Sequence, residues 1–148
     1  MITFESKYDF STALLQRAAQ AALKHQGRSL KADLSIVLTD NRRLRQLNRD
    51  YLGIDAPTDV LSFPASESDP ETGAAYLGDI LISIPYARAS SKKAGNSLEA
   101  EVQLLVVHGV LHLLGHDHAR PREKARMWKA QREILEALGL GAVQIREE

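Results

Sequence analysis

The thirteen residues from Val102 to Leu114, VQLLVVHGVLHLL, limit the possible folds more than any other stretch of the chain. Read as a helix, they carry apolar side chains almost all round, the mark of a central helix with other elements packed about it. The run is too short and too interrupted, by His108 and His112, to cross a membrane. Those histidines lie four residues apart, so their rings share one helical face. In apolar surroundings each must find a polar partner or remain a costly unsatisfied group.

The residues just beyond the helix offer such partners. Gly115 stops the helix and lets the chain reverse, and His116 and His118 come next, so four of the five histidines fall between positions 108 and 118. His108, His112 and His118 complete the pattern H-x-x-x-H-x-x-G-x-x-H. Three neutral imidazoles around a zinc or similar ion, with one coordination position open to water, form a catalytic arrangement. His116 competes for the third place, but one residue past the turn its geometry is less favourable. A purely structural zinc site is the rival reading, and a cysteine-free, histidine-only set argues against it, because structural sites are usually closed by four ligands. Metalloproteases of this spacing place a glutamate directly after the first histidine as general base. Here that position is Gly109, which cannot accept a proton.

The remaining chain supplies a frame for the helix. A short strand is expected at Met1–Glu5, then a helix capped by Ser11 and running to about Gln26, with Gly27 stopping it. Leu34–Leu38 reads as a strand, and Asp40 or Asn41 caps a helix with Leu44, Leu47 and Tyr51 on one side and arginines on the other. Asp59–Phe63 and Leu77–Ser83 read as strands around a polar, acidic loop at positions 65–75. Pro85 at a first helical position opens a helix to Ala94; Asn96 to Glu99 resembles a capping box; Pro121 opens a last helix to about Leu138. The order β-α-β-α-β-β-α-α-α predicts an α/β (α+β) fold in one domain over residues 1–148. Its core is a mixed sheet of about four strands packed with about five helices, with the metal-binding helix at the centre.

Composition narrows the setting. With 148 residues the chain can bury roughly 70% of its unfolded surface without staples. There is no cysteine, which excludes disulfides and thiolate ligands and fits a reducing compartment. The N-terminus lacks a secretory signal pattern, so a soluble cytoplasmic protein is expected. Nineteen basic residues balance nineteen acidic ones, giving no global electrostatic case for nucleic acid. Local clusters stand out at Arg42, Arg43, Arg45 and Arg49, along Arg120 to Arg132, and at Glu67, Asp69 and Glu71. Most such runs are solvated faces.

The segment from His108 to His118 resembles the H-G-x-L-H-L-x-G-Y-D-H signature of the YbeY family, the bacterial rRNA maturation factors. Pro57 to Pro64, PTDVLSFP, and Leu77 to Ile80, LGDI, resemble two further signatures of that family, in matching order and separation. The resemblance implies a zinc-type ion held by His108, His112 and His118. It implies a cytoplasmic, single-strand-specific, metal-dependent endoribonuclease acting on the 3′ end of small-subunit rRNA and in ribosome quality control. The partners are then rRNA and the small ribosomal subunit or its associated factors, with neither DNA nor membrane involved. Two positions depart from the pattern: the family's usual tyrosine is His116, and an arginine important in many members is replaced by Leu52. Arg49 and Arg45 on the same helix are the cations nearest to that missing charge, against the plainer reading of a solvated helix face.

In this reading the ion polarises a phosphodiester and lowers the pKa of its water to about 7, the nucleophile being that water or an RNA 2′-hydroxyl. Asp117 is a partner for a ligand imidazole, or else a turn aspartate. Thr58 and Asp59 line the substrate cleft, although Pro-Thr-Asp is also ordinary turn chemistry. Asp79 either faces the site or bonds backbone, and Trp128 is expected in the core rather than as a stacking platform. A metallopeptidase is the first rival function, opposed by Gly109. A non-catalytic ribosome-assembly factor with structural zinc is the second, favoured by Leu52.

Overall fold

The structure, a computed structural model, describes residues 1–65 and 76–143. Four strands, β1 (Ile2–Ser6), β2 (Asp33–Thr39), β3 (Val60–Pro64) and β4 (Tyr76–Ser83), form one sheet in the order β1-β2-β4-β3. β1, β2 and β4 run parallel, and β3 returns antiparallel to β4 as the edge. Five helices accompany them: α1 (Thr12–His25), α2 (Asn41–Leu52), α3 (Ile84–Ala94), α4 (Leu98–Leu113) and α5 (Pro121–Ala137). This is the mixed α/β arrangement expected from the order of elements. The acidic loop, with Glu67, Asp69 and Glu71, lies outside the described residues apart from Ala65.

Strand alternation sorts the core onto two sides of the sheet. Leu34, Ile36, Leu38, Ile80 and Ile82 are fully buried in one large cluster with α1, α4 and α5. Leu61 and Leu81 face the other way and meet Leu44 of α2. α4 touches α1, α3, α5, β3 and β4, so the run that is apolar all round sits where its composition requires. Among the described residues, no helix is long and apolar enough to cross a membrane.

Ser11, Asp40 and Ser97 cap α1, α2 and α4, each side chain accepting a backbone N–H three residues on. The α4 cap falls one residue later than the capping-box reading. Ser97 takes the N–H of Ala100, while Asn96 Nδ2 donates to Glu101 Oε2 at 3.1 Å. The hydroxyl one residue nearer the helix is the better-placed acceptor, which frees Asn96 to reach into the first turn. Pro85 likewise stands second in α3, behind Ile84, because Ser83 takes the cap with its Oγ on Tyr86 N. Asp59 precedes β3 instead of opening it, and its carboxylate holds the N–H of Val60 at 2.7 Å.

Candidate metal centre

α4 presents His108 and His112 one turn apart, with ring centroids 4.7 Å from each other. The helix closes through Gly115, at a φ of 98° that favours glycine, with His116 N bonded to Leu111 O at 2.9 Å. This turn carries His118 back, 5.8 Å from His108 and 5.1 Å from His112 between ring centroids. One ring nitrogen from each of His108, His112 and His118 lies within 4.8 Å of the other two. His116 is not part of the group; its Nε2 meets Gln26 Oε1 at 2.7 Å, tying the turn to the end of α1.

The donor set fits a small divalent cation. His108 Nε2 and His112 Nε2 stand 3.1 Å apart. Two imidazole nitrogens bound tetrahedrally at zinc–nitrogen distances of 2.0–2.1 Å are about 3.3 Å apart, so the pair needs almost no adjustment. Burial favours the neutral, ligating form of His108 and His112. Desolvation, reinforced by the neighbouring His112 and His118, pushes His108 down to about 4. Desolvation and His118 also lower His112, against an opposing pull from Asp117 and a backbone hydrogen bond at His116.

The metal-free protein should therefore lose stability in acid. The unfolded chain takes up a proton at His108 near pH 6.5, while the folded one resists until about pH 4. Stability is full above the unfolded value and falls as the pH drops from 6.5 towards 4, by on the order of 3 kcal/mol from this group. Urea melts of chelated protein across that range measure it, and zinc saturation should raise stability near neutral pH and steepen its fall in acid, because the bound ion keeps protons off the ligand rings of the folded chain alone.

The triad opens into a cleft of about 540 Å³ between α4, β3 and α5. Thr58, Asp59, Val60 and Ser62 line one side, Glu101, Leu104 and Leu105 of α4 another, and Trp128 and Gln131 of α5 a third. Thr58 and Asp59 are thus among the residues that line this cleft, with Thr58 Oγ1 donating to Asp59 Oδ1 at 3.4 Å. Leu52 lies at the rim, 59% exposed, beside Tyr51, whose ring meets Phe63 edge-on. Arg49 does not reach the cleft; it is exposed and pairs with Asp50, as Arg45 pairs with Asp55. Among the described residues lining the cleft there are three carboxylates, Asp59, Glu101 and Asp117, and neither lysine nor arginine.

Two aspartates that the sequence left with two readings each are placed by their hydrogen bonds. Asp117 Oδ1 accepts the backbone N–H of His118 at 2.7 Å, because in the tight turn its short side chain reaches the main chain of the next residue. Asp79 accepts from the Tyr76 hydroxyl on the opposite side of the sheet, near Ser35, since alternation gives the α4-facing position to Ile80.

The sequence reading missed Gln131 and undervalued Trp128. Gln131 Oε1 lies 2.9 Å from His108 Nδ1, and the Trp128 ring stands edge-on to both His108 and His118. One signal was available: Gln131 is the polar member of a buried α5 stripe otherwise made of Met127, Ala130, Ile134 and Leu135.

Gly109 has a physical reason. A Cβ placed there would lie 2.8 Å from Ile80 Cγ2, so α4 rests on β4 through the glycine. The position that carries the base in metalloproteases is here filled by the sheet.

Fold and site together define a mixed α/β protein with three histidines that could hold a metal ion at the end of an open cleft. Comparison with known proteins makes that class specific. The family described as Endoribonuclease YbeY matches residues 2–139. A relative from Pelotomaculum thermopropionicum named Endoribonuclease YbeY is 45% identical over 132 residues, covering 87% of each chain. Another of that name from Mycolicibacterium smegmatis is 41% identical over 142 residues, covering 91% of this chain and 80% of its own. The chain belongs to the YbeY endoribonuclease family. A solution structure from Thermotoga maritima shares the fold, with a TM-score of 0.60 at 23% identity over 94% of this chain and 92% of that one.

Proposed function

We propose that this chain is a single-strand-specific endoribonuclease that depends on a zinc-type ion held by His108, His112 and His118. Its setting would be the cytoplasm, and its task the maturation of the small-subunit rRNA 3′ end and ribosome quality control, in contact with the subunit or its factors. One domain spanning the chain would carry both the site and the cleft. The observation that carries the reading is the convergence of three imidazoles at the end of an open cleft. Family membership, with relatives named as endoribonucleases, supports RNA as the substrate class.

The ligand charge explains the need for an ion. A cleft lined by Asp59, Glu101 and Asp117 repels a phosphodiester, and three neutral histidines leave a cation's full double charge available to offset this. When bound, such an ion polarises the phosphodiester and makes a water nucleophilic near neutral pH. The chain's own residues then hold and orient. The Thr58 hydroxyl and the apolar walls at Val60, Leu104 and Leu105 accept the sugar and base of an unpaired strand, which a stiff duplex cannot thread into the cleft.

A direct test offers the metal-loaded protein single-stranded RNA, the same RNA annealed to its complement, and an unstructured peptide. Cleavage of the single strand alone supports the proposal. Equal cleavage of the duplex removes the strand specificity, and cleavage of the peptide alone restores the metallopeptidase reading that Gly109 opposes.

Leu52 gives a second expectation. Leu52→Arg places a guanidinium at the rim of a cleft that lacks a lining cation among the described residues. It should lower the Kd for RNA several-fold, leave zinc affinity unchanged, and steepen the salt dependence of binding by about one unit of slope. Fluorescence-anisotropy binding at a series of salt concentrations measures both changes.

A further inference from the structure

We infer that Gln131 is a positioning residue for the metal site, fixing which nitrogen of His108 carries the proton. The inference rests on the proposal that His108 is a ligand. Gln131 is 1% exposed and comes from α5, a separate helix from the one that carries His108. Its Oε1 lies 2.9 Å from His108 Nδ1. An amide oxygen only accepts, so Nδ1 must donate, and a neutral ring then has its lone pair on Nε2. Nε2 is the nitrogen that faces His112, 3.1 Å away. The amide thus aims the lone pair at the point where the three rings meet.

The reverse amide orientation would be self-defeating. With Gln131 Nε2 turned to the ring, Nδ1 would accept, the proton would move to Nε2, and it would project into the space an ion requires. In a free histidine side chain the neutral ring prefers its proton on Nε2, so the wrong tautomer is the default that the protein must overcome. Metal-bound histidines commonly donate their second ring N–H to an acceptor, and loss of that acceptor weakens binding. In this chain Asp117 Oδ1 takes the main-chain N–H of His118, and the acceptor for His108 arrives from 23 residues away. The same bond ties α5 to α4, so ligand geometry and the docking of the last helix are linked.

The test uses the full chain as wild type, Gln131→Leu and Gln131→Glu. Leucine keeps most of the volume and removes the acceptor, while glutamate keeps an acceptor at the same reach. Two-bond proton–nitrogen NMR correlations on metal-free protein read the His108 tautomer directly. The expected result is an Nδ1–H ring in the wild type and in Gln131→Glu, and a shift towards Nε2–H in Gln131→Leu. Chelator competition should show zinc bound 10–100-fold more weakly by Gln131→Leu, with Gln131→Glu within a few-fold of wild type or tighter. A residue that only packs the core would lower the melting temperature without moving the tautomer.

An Nε2–H ring in the wild type overturns the inference even if the leucine variant fails to fold. Unchanged zinc affinity and tautomer in a folded Gln131→Leu does the same. A wild type with the Nδ1–H tautomer that binds no zinc would instead overturn the metal reading and leave the tautomer assignment standing.

Discussion

His112→Ala is expected to abolish RNA cleavage while leaving the chain folded. The substitution removes the middle of three converging nitrogens and leaves two ligands, fewer than a catalytic zinc site retains. A loss of at least about a thousandfold is predicted, equivalent to roughly 4 kcal/mol of transition-state stabilisation. His112 is only half-buried and faces the cleft, so truncating it leaves a gap open to water rather than a sealed cavity. The metal-free melting temperature should therefore move little, while the rise in melting temperature on adding zinc should disappear. Single-turnover cleavage of a labelled RNA, beside melts with and without zinc, separates the two effects. A variant that still cleaves at more than a tenth of the wild-type rate would remove His112 from the site.

Gly109→Glu is expected to unfold the protein rather than turn it into a peptidase. The variant restores the glutamate of the metalloprotease signature, yet its Cβ would lie 2.8 Å from Ile80 Cγ2 and 3.1 Å from two further atoms of the same fully buried side chain. Overpacking at such a point costs about 1–3 kcal/mol, and forcing a carboxylate against an apolar sheet adds several more. A total of about 4 kcal/mol or more is comparable with the roughly 5–15 kcal/mol that hold a domain together. Gly109→Ala carries the steric part alone, partly offset by a gain of about 1 kcal/mol in helix propensity, and should be milder. Circular dichroism melts rank the three proteins. A folded Gly109→Glu with wild-type stability, or one that hydrolyses peptides, would show that the glycine is not the packing contact described here.

The readable parts of this protein were those whose physics is local. A helix apolar on every side must be central whatever surrounds it, and α4 is. Ligand spacing of four along a helix, then a glycine turn, is equally local, and the structure gathers His108, His112 and His118 while sending His116 to Gln26. Strand and helix order gave the mixed sheet, with errors of one residue where neighbouring polar side chains competed for a cap, as at Asn96 and Ser97.

The features that could not be read depend on separate elements meeting. Gln131 and Trp128 approach the histidines only because α5 folds back beside α4, and no spacing along the chain links them to position 108. Asp117 reads in the sequence either as a partner for a ligand imidazole or as a turn aspartate, and in the tight turn one of its carboxylate oxygens goes to the backbone. Asp79 was ambiguous until the register placed Ile80 under Gly109, which turned Asp79 to the far side of the sheet. The arginines of α2 read first as a solvated helix face, and Arg45 and Arg49 are paired with Asp55 and Asp50 outside the cleft.

If an ion held by this triad drives RNA cleavage, titration of chelated protein with zinc reveals it directly. Cleavage of a single-stranded RNA should be absent after chelation, rise with added zinc, and saturate at one ion per chain in the wild type. Cleavage that persists undiminished in metal-free protein, or a rate that ignores the added ion while zinc binds, would contradict the account.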